Sequence, residues 1–152
     1  MSALDTRTGR NPSGVVRVLA ILVMLGGLVL RLGGIATWAV VQNSLAAEKI
    51  TVSQDATRFA GDAVNGPLTA FAQADTIKRH SLEASGGKTY AELDSKDPRR
   101  AVVMTGSFLR ASLFTSVVSF GVAAMAAGLG LLNLLIGYCL LRLARTMRLM
   151  TA

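Results

Sequence analysis

His80 is the only histidine in the chain, and an imidazole is the first candidate for proton transfer or metal binding near neutral pH. No cysteine lies near it and there is no second imidazole, so a zinc site is not expected. Asp75 and Glu83 flank it in sequence, but the three do not share one helical face, and the neighbouring Ser81 and Ser85 do not complete a triad. Glu92, Asp94 and Asp97 form an acidic turn. It lacks the twelve-residue ligand spacing of a strong calcium loop, and Lys96 intrudes. These acids are expected to solvate the chain and cap helices. Gly86-Gly87-Lys88-Thr89 ends like a phosphate loop but lacks the first glycine and a preceding strand. No catalytic, metal or cofactor site is assigned, and the chain is not expected to be an enzyme.

Arg31 raises a different kind of chemistry. It lies in an apolar run, fourteen residues after Arg17, which is about 21 Å along a straight helix. With Arg17 at an inner membrane boundary, Arg31 falls inside the hydrocarbon, roughly 9 Å from the outer surface. It shares a face with Gly27 and Gly34. Neither apolar block supplies a carboxylate, and only Ser116, Ser119 and Asn133 are strongly polar there. An intramembrane arginine is costly unless it snorkels or finds a partner. Two outcomes are expected: snorkelling to the outer headgroups, or pairing with an acid, carbonyl or lipid phosphate from outside this chain. The hairpin has too little polar lining for conduction by itself.

The elements that hold Arg31 are defined by composition. Hydrophobic residues make up 51% of the 152 and charged residues 16%, against roughly 25% charged in soluble domains. The apolar residues concentrate in Val18 to Val41 and Ala111 to Leu141, each longer than the roughly 20 residues that span a bilayer. The net charge of +7 is distributed unevenly. Arg7, Arg10 and Arg17 precede the first block, Arg142, Arg145 and Arg148 follow the second, and the segment between is close to neutral. Arginine-rich short flanks stay in the cytoplasm. The basic balance therefore reads as membrane topology and not as nucleic-acid binding. Arg142, Arg145 and Arg148 are candidate contacts for anionic lipid headgroups. Ser44-Leu45-Ala46 resembles a signal-cleavage site, but the apolar run exceeds a ~7–15 residue h-region, so the first helix is expected to be retained. Cys139, the only cysteine, can form no intrachain disulfide.

The expected fold is an all-α membrane protein: a two-helix transmembrane hairpin with a small helical extracytoplasmic domain. Residues 1–14 form a cytoplasmic tail and 15–46 the first transmembrane helix. Residues 47–97 lie outside, 98–148 form a long helix with its span at about 112–141, and 149–152 end in the cytoplasm. Within 47–97, Ile50 to Ser53 reads as an extended lead, with Ser53 capping a short helix from Gln54. Pro67 opens a second helix to about Ala84, Gly86-Gly87 caps it, and Thr89 to Asp94 forms a third piece. Asp97-Pro98 restarts the chain as the N-cap and first position of the long helix. So thin a core is expected to gain by resting on the long helix, the bilayer or a partner. Seven-residue spacings pair Gly26 with Gly33, Gly27 with Gly34 and Gly121 with Gly128, and Ala124 with Gly128 completes a small-x-x-x-small pair. These mark candidate intramembrane contact faces.

Ala47 to Ser53, Gly66-Pro67, Ala70 to Asp75, Gly86 to Leu93 and Ser107 to Phe114 resemble a family of small uncharacterised actinobacterial two-span membrane proteins. The resemblance covers roughly residues 47–121 and excludes the first span. It implies a high-GC Gram-positive host, whose plasma membrane would place the middle segment against the cell wall. Some members carry a ring-opening dioxygenase label. The residues here give it no support, because no pair of histidines with a carboxylate is present to hold iron. The expected function is a non-catalytic accessory or scaffolding subunit of a larger plasma-membrane complex, respiratory or of the cell envelope. It would meet membrane lipids, other membrane subunits or a second copy of itself. The alternatives are an extracytoplasmic ligand-binding or sensing module and a small oligomeric transporter or channel.

Overall fold

The chain has three prolines, Pro12, Pro67 and Pro98, and each stands at or next to the start of a helix. Proline is pre-set for a first helical turn and disruptive later. The computed structural model describes residues 12–150; Arg7, Arg10 and the last two residues lie outside the described residues. Its regular structure is all-helical: α1 (Pro12–Ala47), α2 (Pro67–Ala84) and α3 (Arg99–Met150). At 36 and 52 residues, α1 and α3 extend about 54 and 78 Å at ~1.5 Å per residue. Both are long and apolar enough to cross a membrane, and only 11% of the most apolar stretch of either is buried within the chain.

One compact unit comprises the described residues up to Gly34 together with those from Met125 onward. Here α1 and α3 run antiparallel, since Gly27 meets Gly130 while Gly137 meets Ala20. The buried positions are small and recur every seventh residue: Ala20, Gly27 and Gly34 on α1, and Gly130, Gly137 and Ala144 on α3. Half-buried Met24 and Arg31, and Ala127, Leu134 and Leu141, fill the intervening places. That alternation of three and four is the 3.5-residue repeat of a left-handed helix pair. A β-carbon on Gly27 would stand 2.8 Å from the Gly130 carbonyl oxygen, and one on Gly130 would stand 2.6 Å from the Gly27 oxygen. Backbones this close leave no room for a side chain.

The second unit, Ile35–Ala124, has a small core of its own. Leu45, Val52, Val64, Ala70, Ala74, Leu113 and Phe120 form its buried cluster. The segment between the long helices thus rests on them, with the end of α1 and the start of α3 supplying part of its interior. Trp38 meets Phe120 edge-on at 4.7 Å, and Phe71 meets Phe114 at 5.7 Å.

The segment before α2 differs from its expectation. No helix follows Ser53. Instead Val52 N–H donates to Asp62 O, Gly61 N–H to Val52 O and Val64 N–H to Ile50 O, each at 2.9 Å, with Thr51 bridged antiparallel to Ala63. Phe59 and Gly61 have φ of 59° and 79°, a left-handed backbone that a helix cannot contain. Long-range pairing satisfies the backbone groups that a helix would have used. Thr89 to Asp94 is also turns rather than helix, so α2 is the one helix between the long pair.

Replacing Gly130 by alanine forces α1 and α3 apart. The expected outcome is a loss of about 1–3 kcal/mol, typical of overpacking, read as a lower thermal midpoint in detergent. Gly128→Ala should leave the midpoint unchanged or slightly raised, because a β-carbon there meets nothing within 4 Å.

Candidate functional site

Arg31 lies on the buried stripe of α1, between Gly27 and Gly34. Its Nη1 donates to the Ala127 carbonyl oxygen of α3 at 3.3 Å. The guanidinium therefore has an acceptor within its own chain, where the residue types alone led to two expectations, snorkelling to the outer headgroups or an acceptor from outside. The signal was indirect. A backbone carbonyl becomes reachable only because Gly130, one turn further along α3, lets the helices approach: a β-carbon there would stand 2.5 Å from the Arg31 nitrogen.

The small residues divide by function. Gly27 and Gly34 are both buried, Gly27 against Gly130 and Asn133 of α3. At Gly26, Gly33, Gly121 and Gly128 an added β-carbon would meet nothing within 4 Å, and Ala124 is exposed. Gly121, Ala124 and Gly128 thus take no part in the contact between α1 and α3. Gly130 and Gly137 make it instead. Both stripes carry seven-residue spacings in the sequence, so spacing alone could not choose between them.

Polar contacts tie the segments on either side of α2 to α2 and α3. His80 does not meet Asp75 or Glu83; its Nε2 lies 2.6 Å from Asp55 Oδ2, and Arg79 Nη2 reaches the same oxygen at 2.9 Å. Asp55 is held below the ordinary carboxylate range, first by its hydrogen bond with His80. The acidic turn acts as caps: Glu92 accepts from Thr89 N–H, Asp94 from Lys96 N–H and Asp97 from Arg99 N–H. Arg99 donates to Ser85 O at 3.1 Å and Arg100 to Leu93 O at 2.7 Å, while the Arg100 guanidinium covers the Tyr90 ring at 3.9 Å. Sequence reading missed both arginines, because nothing local distinguishes a tethering arginine from a solvated one. At the end of α2, Gly86 and Gly87 take φ of 71° and 84°. Gly87 N–H donates back to Leu82 O at 2.7 Å and Gly86 N–H to Glu83 O at 3.2 Å, the paired bonds of a Schellman cap. Gly86 to Thr89 is a helix cap rather than a phosphate cradle.

Two cavities have cations and no Asp or Glu among the described residues that line them. In the second unit, a cavity of about 360 Å³ is lined by Lys78, Ser81, Thr89, Tyr90, Ser107 and Arg110, among others. Arg110 Nε is buried there with no hydrogen-bond partner among the described residues. In the first unit, Arg17, Arg145 and Arg148 line another cavity. Arg142 is not with them; its Nε donates to the Tyr138 hydroxyl at 3.1 Å. A step of three residues falls about 60° short of a full turn, so Arg142, Arg145 and Arg148 cannot share one stripe. Among the described residues no three of His, Cys, Asp and Glu come close enough to hold a metal ion. Comparison with known proteins finds no matching family model, no similar curated protein and no similar solved structure.

Asp97 titrates at about 2, lowered first by the side-chain hydrogen bond from Arg99 and then by the Arg99 N–H. A carboxyl lowered in the folded state stabilises it fully above its ordinary value of 3.8, and that contribution is lost as pH falls through about 2. Amide exchange over residues 85–100 should accelerate in that acid window. Asp97→Ala should show the faster exchange already at pH 7 and lose the acid step.

Proposed function

We propose that the chain is a two-span plasma-membrane protein with both ends in the cytoplasm and residues 47–97 outside. There it serves as a non-catalytic accessory or scaffolding subunit of a larger membrane complex. The observation that carries this reading is the apolar surface the chain does not cover. Leu22, Leu25, Val29 and Leu32 on α1, and Leu129, Leu132, Leu135 and Ile136 on α3, are all exposed. Lipid and neighbouring helices are the media that accept such surface. The arginine distribution supports the orientation.

Support for a subunit role comes from the small residues left open. Gly121, Ala124 and Gly128 share one face of α3, and Gly26 and Gly33 one face of α1. Both are suited to close approach by a further helix. Extraction in a mild detergent followed by native-size measurement should find a stoichiometric assembly. Gly121→Leu with Gly128→Leu should disperse it without unfolding the hairpin. Migration as a lone monomer without a co-purifying protein would count against the subunit role. Release from membranes by alkali would count against the spans themselves.

A second reading, an extracytoplasmic binding module, is favoured by Arg110 alone. A buried guanidinium N–H without an acceptor invites an anion. Inorganic phosphate at constant ionic strength should then raise the thermal midpoint of the full chain, and Arg110→Leu should abolish the rise. An unchanged midpoint removes this reading.

A further inference from the structure

The start of α1 and the end of α3 enclose a cavity of about 300 Å³. Ser13, Arg17 and Ile21 line it from α1, four residues apart and hence on one stripe. Leu141, Arg145 and Arg148 line it from α3 at spacings of four and three. Because the helices are antiparallel, both stripes grade the same way. Hydroxyl and guanidinium groups stand at the mouth, and Ile21 and Leu141 lie deeper along the pair.

Neither helix offers Arg17 or Arg145 a carboxylate: no Asp or Glu occurs from residue 6 to 47 or after Asp97. Among the described residues Arg17 and Arg145 make no hydrogen bond or ion pair. Guanidinium forks match phosphate oxygens in geometry as well as charge. A free phosphate would use the mouth and leave Ile21 and Leu141 idle. An amphipathic phosphate uses both ends.

We infer that this cavity is a binding site for one anionic phospholipid, its phosphate held between Arg17 and Arg145 beside Arg148, its glycerol and upper acyl chain laid along Ile21 and Leu141. This rests on the membrane reading above, which places the cavity at the inner leaflet. The site differs from diffuse attraction between basic flanks and an anionic surface. Arg142 supplies the comparison: same helix, same charge, one turn from Arg145, but turned onto Tyr138 and outside the cavity.

The test uses the purified full chain, titrated with phosphatidylglycerol, phosphatidylcholine or inorganic phosphate and read by native mass spectrometry. One phosphatidylglycerol should bind in clear preference to phosphatidylcholine. Each of Arg17→Gln and Arg145→Gln should weaken that binding about fivefold, the scale of one cation at an anionic headgroup, while Arg142→Gln leaves it unchanged. Equal retention of the two lipids, equal loss with Arg142→Gln, or displacement by millimolar inorganic phosphate overturns the site. Flotation with pure phosphatidylcholine vesicles separates the two levels of failure. A chain that floats without lipid preference loses only the site, whereas one that does not float loses the membrane reading as well.

Discussion

Backbone-to-backbone contact between α1 and α3 at Gly27 and Gly130 is the constraint from which the rest of the helix pair follows. Two apolar helices in lipid gain little hydrophobic energy by associating, since the solvent is as apolar as they are. What remains is dispersion, which falls steeply with distance, and polar contact at short range. Both demand small residues on the shared stripe. Ala20, Gly27 and Gly34 facing Gly130, Gly137 and Ala144 meet that demand on both sides. The long side chains are then left to face outward, which is why so little of either helix is buried.

Arg31 depends on the same approach. Its acceptor is a main-chain oxygen that already belongs to the α3 helical ladder, so the 3.3 Å contact offers one shared lone pair to a group with five donors. That is enough to orient the side chain along the seam, and it leaves other donors to be met by lipid phosphate, water or a further chain. A larger residue at position 130 would remove even this contact. The glycine that sets the helix distance and the arginine that exploits it are one device. A seam tight enough to exclude a β-carbon at Gly130 has no space for water at that level.

Legibility in the sequence followed the range of the interactions involved. Helix α2 could be read to its ends because its signals are local: Pro67 opens it, and Gly86-Gly87 supply the left-handed backbone that closes it. The long rod of α3 could be read from Asp97-Pro98 and the absence of later prolines. Residues 50–64 could not, because their backbone bonds go to partners about ten residues away, and Ser53-Gln54-Asp55 imitates a helix start. Gln73 explains the imitation. Its buried side-chain oxygen accepts from Ser53 N–H at 2.9 Å, so the expected cap is itself held by α2. The choice among glycine stripes was equally hidden. Four of them carry the spacing, and only the facing helix decides which is used. The additional clue lay in Ala123, Gly130, Gly137 and Ala144, whose unbroken seven-residue run is longer than that of Gly121 and Gly128.

The cationic ends illustrate how one residue type serves three physical roles in a single chain. Arg99 and Arg100 are spent on carbonyls of the preceding loop and fix where α3 begins. Arg142 lies against Tyr138, its Nε donating to the phenol oxygen at 3.1 Å. Among the described residues Arg17 and Arg145 have neither carbonyl nor ring, and they stand where the macrodipoles work in opposite senses. The end of α3 favours a cation, while the start of α1 favours an anion. Arg145 and Arg148 therefore sit comfortably on their own helix, but Arg17 in the first turns of α1 is opposed by the dipole. An anion between the helices would relieve that opposition and would meet the α3 arginines at the same time.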